Sequence, residues 1–177
     1  MHAVTLDAPT RSQAESPALT FASAAEQCLD DVYGYLLYLT KDRALAEDLT
    51  GETFETALRR WRKFDPVRGT ARTWLLAIAR STALGRFRSE SRRRKREERA
   101  SAADPRATTE DVFEGFSPEL ESALRELTAG EREVVALRIV LDLDGDEVAR
   151  LLGLTTTAVS TRLHRALGKL EERMTNP

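Results

Sequence analysis

Hydrophobic residues recur at three- and four-residue steps along most of the chain, the spacing typical of amphipathic α-helices. Three such stretches begin near Leu19, Asp42 and Thr70, and Phe64–Gly69 predicts a turn before the third. The apolar positions that define their inner faces are Phe21, Ala25, Cys28, Leu29, Val32, Leu36 and Leu39 in the first, Leu45, Leu49, Thr53, Phe54, Ala57, Leu58 and Trp61 in the second, and Trp74, Leu75, Ile78, Ala79, Ala83, Leu84 and Phe87 in the third.

The second half of the chain carries clear helix start and stop signals. Ser117–Pro118 predicts an N-cap followed by proline at the first helical position. Thr128–Glu131 and Asp144–Glu147 have the spacing of capping boxes. A short helix over Gly145–Leu152 is expected to end at Gly153, and a further helix follows. Two helices joined by a short turn containing glycine predict a helix-turn-helix.

The outer face of the last helix has side chains that can bind DNA. Hydroxyls and guanidinium groups bond base edges and phosphates, and no acidic residue occurs between Thr155 and Leu170. The alternative is an ordinary polar surface, which any helical hairpin has. The candidate DNA-binding residues are Thr156, Thr157, Ser160, Thr161, Arg162, His164 and Arg165.

Two stretches lack periodicity. Residues 1–18 predict a disordered tail, and residues 101–116 predict a flexible acidic linker. The expected architecture is therefore all-α, with two small helical domains at 19–100 and 117–174.

Composition excludes several classes of protein. Among the 177 residues Cys28 is the single cysteine, so neither an internal disulfide nor a zinc knuckle can form. No nucleotide-binding glycine motif and no protease or hydrolase signature is present. The longest strictly apolar run, Trp74–Ala79, is six residues, far below the ~20 needed to cross a bilayer. With no apolar leader, we expect an intracellular protein.

Charge is unevenly distributed, although the net charge is only −2. Residues 86–99 hold eight basic and three acidic side chains, a net of +5, and residues 104–121 hold six acidic and one basic, a net of −5. The basic run directly extends the third amphipathic helix. It is either a solvated helix end or a surface that presents cations to phosphate.

The same segments resemble a known family. LDGDEVARLLGLTTTAVSTRLHRALGKLEERM resembles region 4 of the extracytoplasmic-function (ECF) sigma factors, small members of the σ70 family of bacterial RNA polymerase. DRALAEDLTGETFETALRRWRKFD resembles their region 2.2, and GTARTWLLAIARSTALGRFR resembles regions 2.3 and 2.4. The likeness covers about residues 20–173 in the order of the family. It implies a cytoplasmic transcription initiation factor without catalytic residues, cofactor or metal.

The resemblance also implies roles for particular residues. Region 2.2 docks on the β′ clamp helices of core RNA polymerase, and the matching positions are Glu47, Asp48, Leu49, Glu52, Phe54 and Glu55, with Leu49 and Phe54 mainly shaping the helix. Regions 2.3 and 2.4 bind the melted −10 strand, and the matching candidates are Arg80, Ser81, Gly85, Arg86, Arg88, Arg92 and Arg93. Region 4 binds the −35 duplex through the helix Thr156–Arg165 and contacts the β flap. An anti-sigma factor and a monomeric free state are also expected.

Some positions depart from the pattern of the family. Ser81 and Gly85 replace residues that help to form the −10 pocket, and Gly51 replaces a frequent glutamine in region 2.2. In the recognition helix, Ser160 stands where the family usually has Lys or Arg. The pair Thr157-Ala158 stands where the family usually has Gly-Thr. We therefore expect region 4 alone to bind the promoter weakly.

Three other functions stay open from the residues. A helix-turn-helix repressor would need a dimer to read a two-fold site, and no heptad seam is evident. A metalloenzyme could bind metal ions in a helical bundle through Glu47, Asp48, Glu52 and Glu55. Metal sites of that kind use Glu-x-x-His pairs, and neither His2 nor His164 belongs to one. An adaptor that binds polymerase but not promoters is the third.

Overall fold

A computed structural model describes residues 19–100 and 118–175 of the chain. Within these ranges the chain forms helices and no strand, arranged as two small helical domains, so the predicted all-α class is confirmed. The predicted tail, the predicted linker and the N-cap at Ser117 lie outside the described residues.

The helices follow the predicted order. The first domain has three α-helices, and the second has four, with a π-helical turn (Ala136–Val140) after its second helix. The bounds are α1 Phe21–Thr40, α2 Arg43–Arg60, a 3-10 turn Trp61–Lys63, α3 Ala71–Ala100, α4 Pro118–Glu126, α5 Ala129–Val135, α6 Gly145–Leu152 and α7 Thr156–Thr175.

The first domain is a three-helix bundle in which α1, α2 and α3 all contact one another. Thr20 caps α1, and Asp42 caps α2 by accepting a hydrogen bond from the Leu45 N–H at 3.0 Å. The bundle buries Val32, Leu36, Leu49, Leu75, Leu76 and Ala79.

Two positions predicted for the inner faces of the first domain are wrong. Leu29 and Leu58 are 47% and 58% exposed, while Ala24 and Tyr35 are buried. The buried face of α1 is therefore rotated relative to the predicted one, and it faces both α2 and the second domain.

The second domain packs α4, α5 and α6 against α7. Capping boxes at Thr128 and Asp144 begin α5 and α6, as the sequence predicts. Leu143 and Val148, on either side of the second box, are 1% and 0% exposed and fix the entry of α6.

The two domains share a hydrophobic core. Val134, Leu137 and Val148 of the second domain belong to the same buried cluster as Val32 and Leu75 of the first. The structure therefore shows a closed arrangement, with α1 against the π-helical turn and α3 against α6.

Candidate polymerase and promoter interfaces

The helix-turn-helix is fixed by its caps. The Asp144 carboxylate accepts a hydrogen bond from the Glu147 N–H at 2.7 Å, and Gly153 ends α6 with φ +66°. The Thr156 hydroxyl then donates to Asp146 at 2.7 Å and joins the starts of α6 and α7. A Cβ on Gly145 would lie 3.3 Å from the Thr156 methyl carbon, so the two helix starts approach closely.

The outer face of α7 presents most of the candidate −35 residues to solvent. Val159 and Ala166 point into the core, which leaves the opposite side exposed. The guanidinium of Arg162 is half-buried and lies against Gly130 on α5. Thr161 donates its hydroxyl to the Thr157 carbonyl at 2.9 Å. The exposed candidates are Thr156, Thr157, Ser160, Thr161, His164 and Arg165.

The candidate −10 residues lie along α3 and are not equivalent. Arg80 is half-buried at the junction of the domains, and Arg86 forms an ion pair with Glu90 at 3.0 Å. The remaining candidates, Ser81, Gly85, Arg88, Arg92 and Arg93, are exposed. A cavity of about 340 Å³ is lined by Ser81, Gly85 and Arg86 together with residues of α2.

The acidic candidates lie on the outside of α2. Leu49 is buried at 1% exposure and Phe54 is half-buried against the core, so both hold the helix in place. Glu55 pairs with Arg59 one turn later. The exposed carboxylates are Glu47, Asp48, Glu52 and Glu55. They form an anionic surface that adjoins the basic part of α3, because Glu52 lines the same cavity as Gly85 and Arg86.

Glu133 joins the two domains. One oxygen of its carboxylate accepts hydrogen bonds from the Tyr35 hydroxyl on α1 and the Arg80 Nε on α3, both at 2.8 Å. Burial and the negative charge of Glu133 raise the pKa of Tyr35 well above its ordinary value. The phenol therefore stays a donor to this carboxylate.

Two more hydrogen bonds cross the same junction. Arg72 donates to the Leu141 carbonyl at 2.6 Å while it also pairs with Asp31. Thr73 donates to Glu147 at 2.7 Å. Sequence reasoning missed these residues, because the partners lie far apart in the chain and no local pattern links them.

Across the helices of 19–100 and 118–175, none is both long enough and apolar enough to cross a membrane. In the same ranges, no three His, Cys, Asp or Glu side chains are grouped so that they could hold a metal ion.

Two models of one family match the chain. Sigma-70 region 2 matches residues 24–93, and Sigma-70 region 4 matches residues 117–170. Together they cover more than half of the chain, in the order that the sequence predicts.

Curated relatives agree with this family. The chain is 35% identical over 164 residues to the ECF RNA polymerase sigma factor BldN of Streptomyces coelicolor. The alignment includes 90% of this chain but only 62% of BldN, which is less than two thirds of its length. It is 28% identical over 163 residues to the ECF RNA polymerase sigma factor SigX of Bacillus subtilis, with 88% of the chain and 84% of the relative aligned.

Solved structures share the fold. The sigma factor RpoE in complex with the anti-sigma factor NepR from Bartonella quintana superposes with a TM-score of 0.67 at 23% identity, covering 88% of this chain and 97% of that one. CnrH in complex with the cytosolic domain of CnrY has a TM-score of 0.63 at 24% identity, covering 88% and 87%.

The fold and the two matching family models define a protein of the sigma-70 family. The chain belongs to the extracytoplasmic-function group of that family.

Proposed function

We propose that the chain recruits core RNA polymerase, recognises −10 and −35 promoter elements, promotes opening of the promoter and makes no chemical bond itself. The observation that carries this proposal is that two neighbouring helices of the first domain expose charges of opposite sign. Exposed carboxylates lie along α2, and exposed arginines lie along α3. One domain can therefore bind a protein and a nucleic acid at the same time.

The anionic surface of α2 is the proposed contact with the β′ clamp helices. Its carboxylates are exposed, while Leu49 and Phe54 anchor the helix from beneath. Exposed charges of one sign on a rigid helix steer a partner of opposite charge and fix its orientation.

The basic side of α3 is the proposed contact with the melted −10 strand. Its guanidinium groups are exposed on successive turns and can follow a phosphate backbone. The cavity beside Ser81, Gly85 and Arg86 is about 340 Å³ and is open to an unstacked base.

The outer face of α7 is the proposed reader of the −35 duplex. Its first turns carry exposed hydroxyls, and Arg165 follows two turns later. The hydrogen bond that the Thr156 hydroxyl donates to Asp146 holds the start of this helix against α6, as a recognition helix requires.

Further partners follow from the family and its neighbours. We propose that the second domain contacts the β flap, that an anti-sigma factor holds the protein inactive, and that the free chain is a cytoplasmic monomer. The neighbours RpoE and CnrH were solved with an anti-sigma factor and with the cytosolic domain of CnrY, respectively.

Reconstitution with core polymerase from the same cell, followed by sequencing of transcripts from sheared genomic DNA, tests the proposal. Discrete starts that share upstream −10 and −35 sequences are expected. Binding to core without discrete starts would instead indicate an adaptor, and no binding to core would contradict the role of α2.

A further inference from the structure

The Glu133 carboxylate bonds the guanidinium of Arg80, one of the candidate −10 residues. Its oxygen lies 2.8 Å from the Arg80 Nε, and the second oxygen lies 3.4 Å from another nitrogen of the same guanidinium. A carboxylate and a phosphate bond a guanidinium fork in the same way. The Glu133 side chain is only 13% exposed, so the pair is shielded from water.

While the pair with Glu133 is formed, the edge of the Arg80 guanidinium made by Nε and one terminal nitrogen is not available to a phosphate. The Arg80 side chain is 26% exposed, and its two polar contacts with Glu133 face the second domain. Arg80 bonds across the junction of the domains, whereas Arg86 pairs with Glu90 on its own helix. The Tyr35 hydroxyl holds the same Glu133 oxygen at 2.8 Å and so fixes the carboxylate in that position.

In the closed arrangement the two domains also lie too close together to reach both promoter elements. The −10 and −35 elements lie about 25 base pairs apart along the DNA. At about 3.4 Å per base pair this separation is about 85 Å of duplex. A compact chain of 177 residues has a radius of gyration of about 16 Å. The domains must therefore separate before both elements are bound.

We propose that Glu133 is an internal competitor of promoter DNA: in the free chain it occupies Arg80 and latches the second domain onto the first. This inference rests on the proposed function of α3. Separation of the domains releases Arg80, because Glu133 moves away with the second domain. The apparent affinity of the chain for DNA is then lowered by the fraction of molecules that are open.

Removal of the carboxylate charge tests the latch in the full chain. Glu133→Gln keeps the shape of the side chain and weakens the pair, while Tyr35→Phe removes only the hydroxyl bond to it. The matched control is Glu171→Gln, which removes the same charge from an exposed position on α7. Circular dichroism confirms that each variant is folded.

The first readout is the distance between the domains without DNA or polymerase. Dyes are attached at Glu26→Cys and Glu172→Cys, two exposed positions on α1 and α7, in a Cys28→Ala background. Energy transfer is expected to fall in Glu133→Gln, to fall less in Tyr35→Phe and to stay unchanged in Glu171→Gln. Equal transfer in Glu133→Gln and its parent would overturn the latch.

The second readout is fluorescence anisotropy with a labelled 20-nucleotide single strand of mixed sequence. Glu133→Gln is expected to bind about tenfold more tightly than the parent, the factor that corresponds to loss of one charge-assisted hydrogen bond. Glu171→Gln reports how much of the gain comes from the change in net charge. A gain no larger than that of Glu171→Gln would overturn the competition. No binding by any protein, the parent included, would instead contradict the role of α3 and the inference together.

Discussion

Lys169 Nζ lies 2.8 Å from both carboxylate oxygens of Glu131, so the last helix of the second domain is bonded to the first turn of α5. Glu131 also completes the capping box with Thr128 and is 8% exposed. The hydrogen bond from Lys169 and the one from the Thr128 N–H lower the pKa of Glu131 from 4.5 to about 2.

The second domain should therefore lose stability in acid. The folded-state pKa of Glu131 is depressed, so its contribution is complete above pH 4.5 and is lost as the pH falls toward about 2. Glu131→Gln keeps a capping-box side chain but has no charge to titrate. Urea unfolding between pH 6 and pH 2 should show a flatter pH dependence in this variant. Glu171→Gln, at an exposed site, should keep the parental slope, and parallel curves for all three proteins would contradict the assignment.

Glycine is required at position 153 by the backbone conformation and not by a lack of room for a side chain. Its φ is +66°, yet a Cβ there would meet no atom within 4 Å. Gly153→Ala is expected to lower the free energy of unfolding by about 1 kcal/mol, because L-residues disfavour this region. Gly168 also has open space but lies inside α7, so Gly168→Ala should raise stability by about 0.5–1 kcal/mol. Thermal unfolding of both variants measures the contrast, and a shift of the same sign would argue against it.

Arg165 is expected to contribute one phosphate contact in the −35 duplex. Arg165→Gln should reduce the slope of log K against log salt by about one unit. The probe is a duplex carrying the −35 element found by transcript mapping. Arg62→Gln removes the same charge from an exposed turn of the first domain and should leave the slope unchanged. Equal slopes for Arg165→Gln and the parent would exclude Arg165 from the interface.

Glu52 is expected to bind core polymerase. Glu52→Lys reverses an exposed charge in the middle of α2 and should weaken core binding at least tenfold, with a larger loss at low salt. The control is Glu26→Lys, an equal reversal at an exposed position of α1. Titration of labelled protein with core enzyme measures both, and similar losses in the two variants would point to net charge and away from a specific surface.

Local structure was predictable where neighbours in the sequence decide it. The caps at Thr128 and Asp144 and the stop at Gly153 are short-range features, and each was confirmed. The candidate hydroxyls on α7 were predicted to face outward, and the structure places them at the surface, as it does the candidate carboxylates on α2. Their partners stay predictions.

The predicted inner faces were wrong where a helix packs on two neighbours at once. Leu58 fits the apolar spacing of α2 but is 58% exposed, because the core is reached from the side of Ala57. Periodicity gives the width of an apolar face but cannot fix its edges, which depend on what covers them.

The sequence by itself determined the helices, their caps, the order of the two domains and the family resemblance, because these depend on local spacing. Only the tertiary structure decided that the domains close on each other and that Arg80 bonds Glu133, 53 residues away. Such a contact is selected by shape and charge across a shared core, and no short-range pattern encodes it.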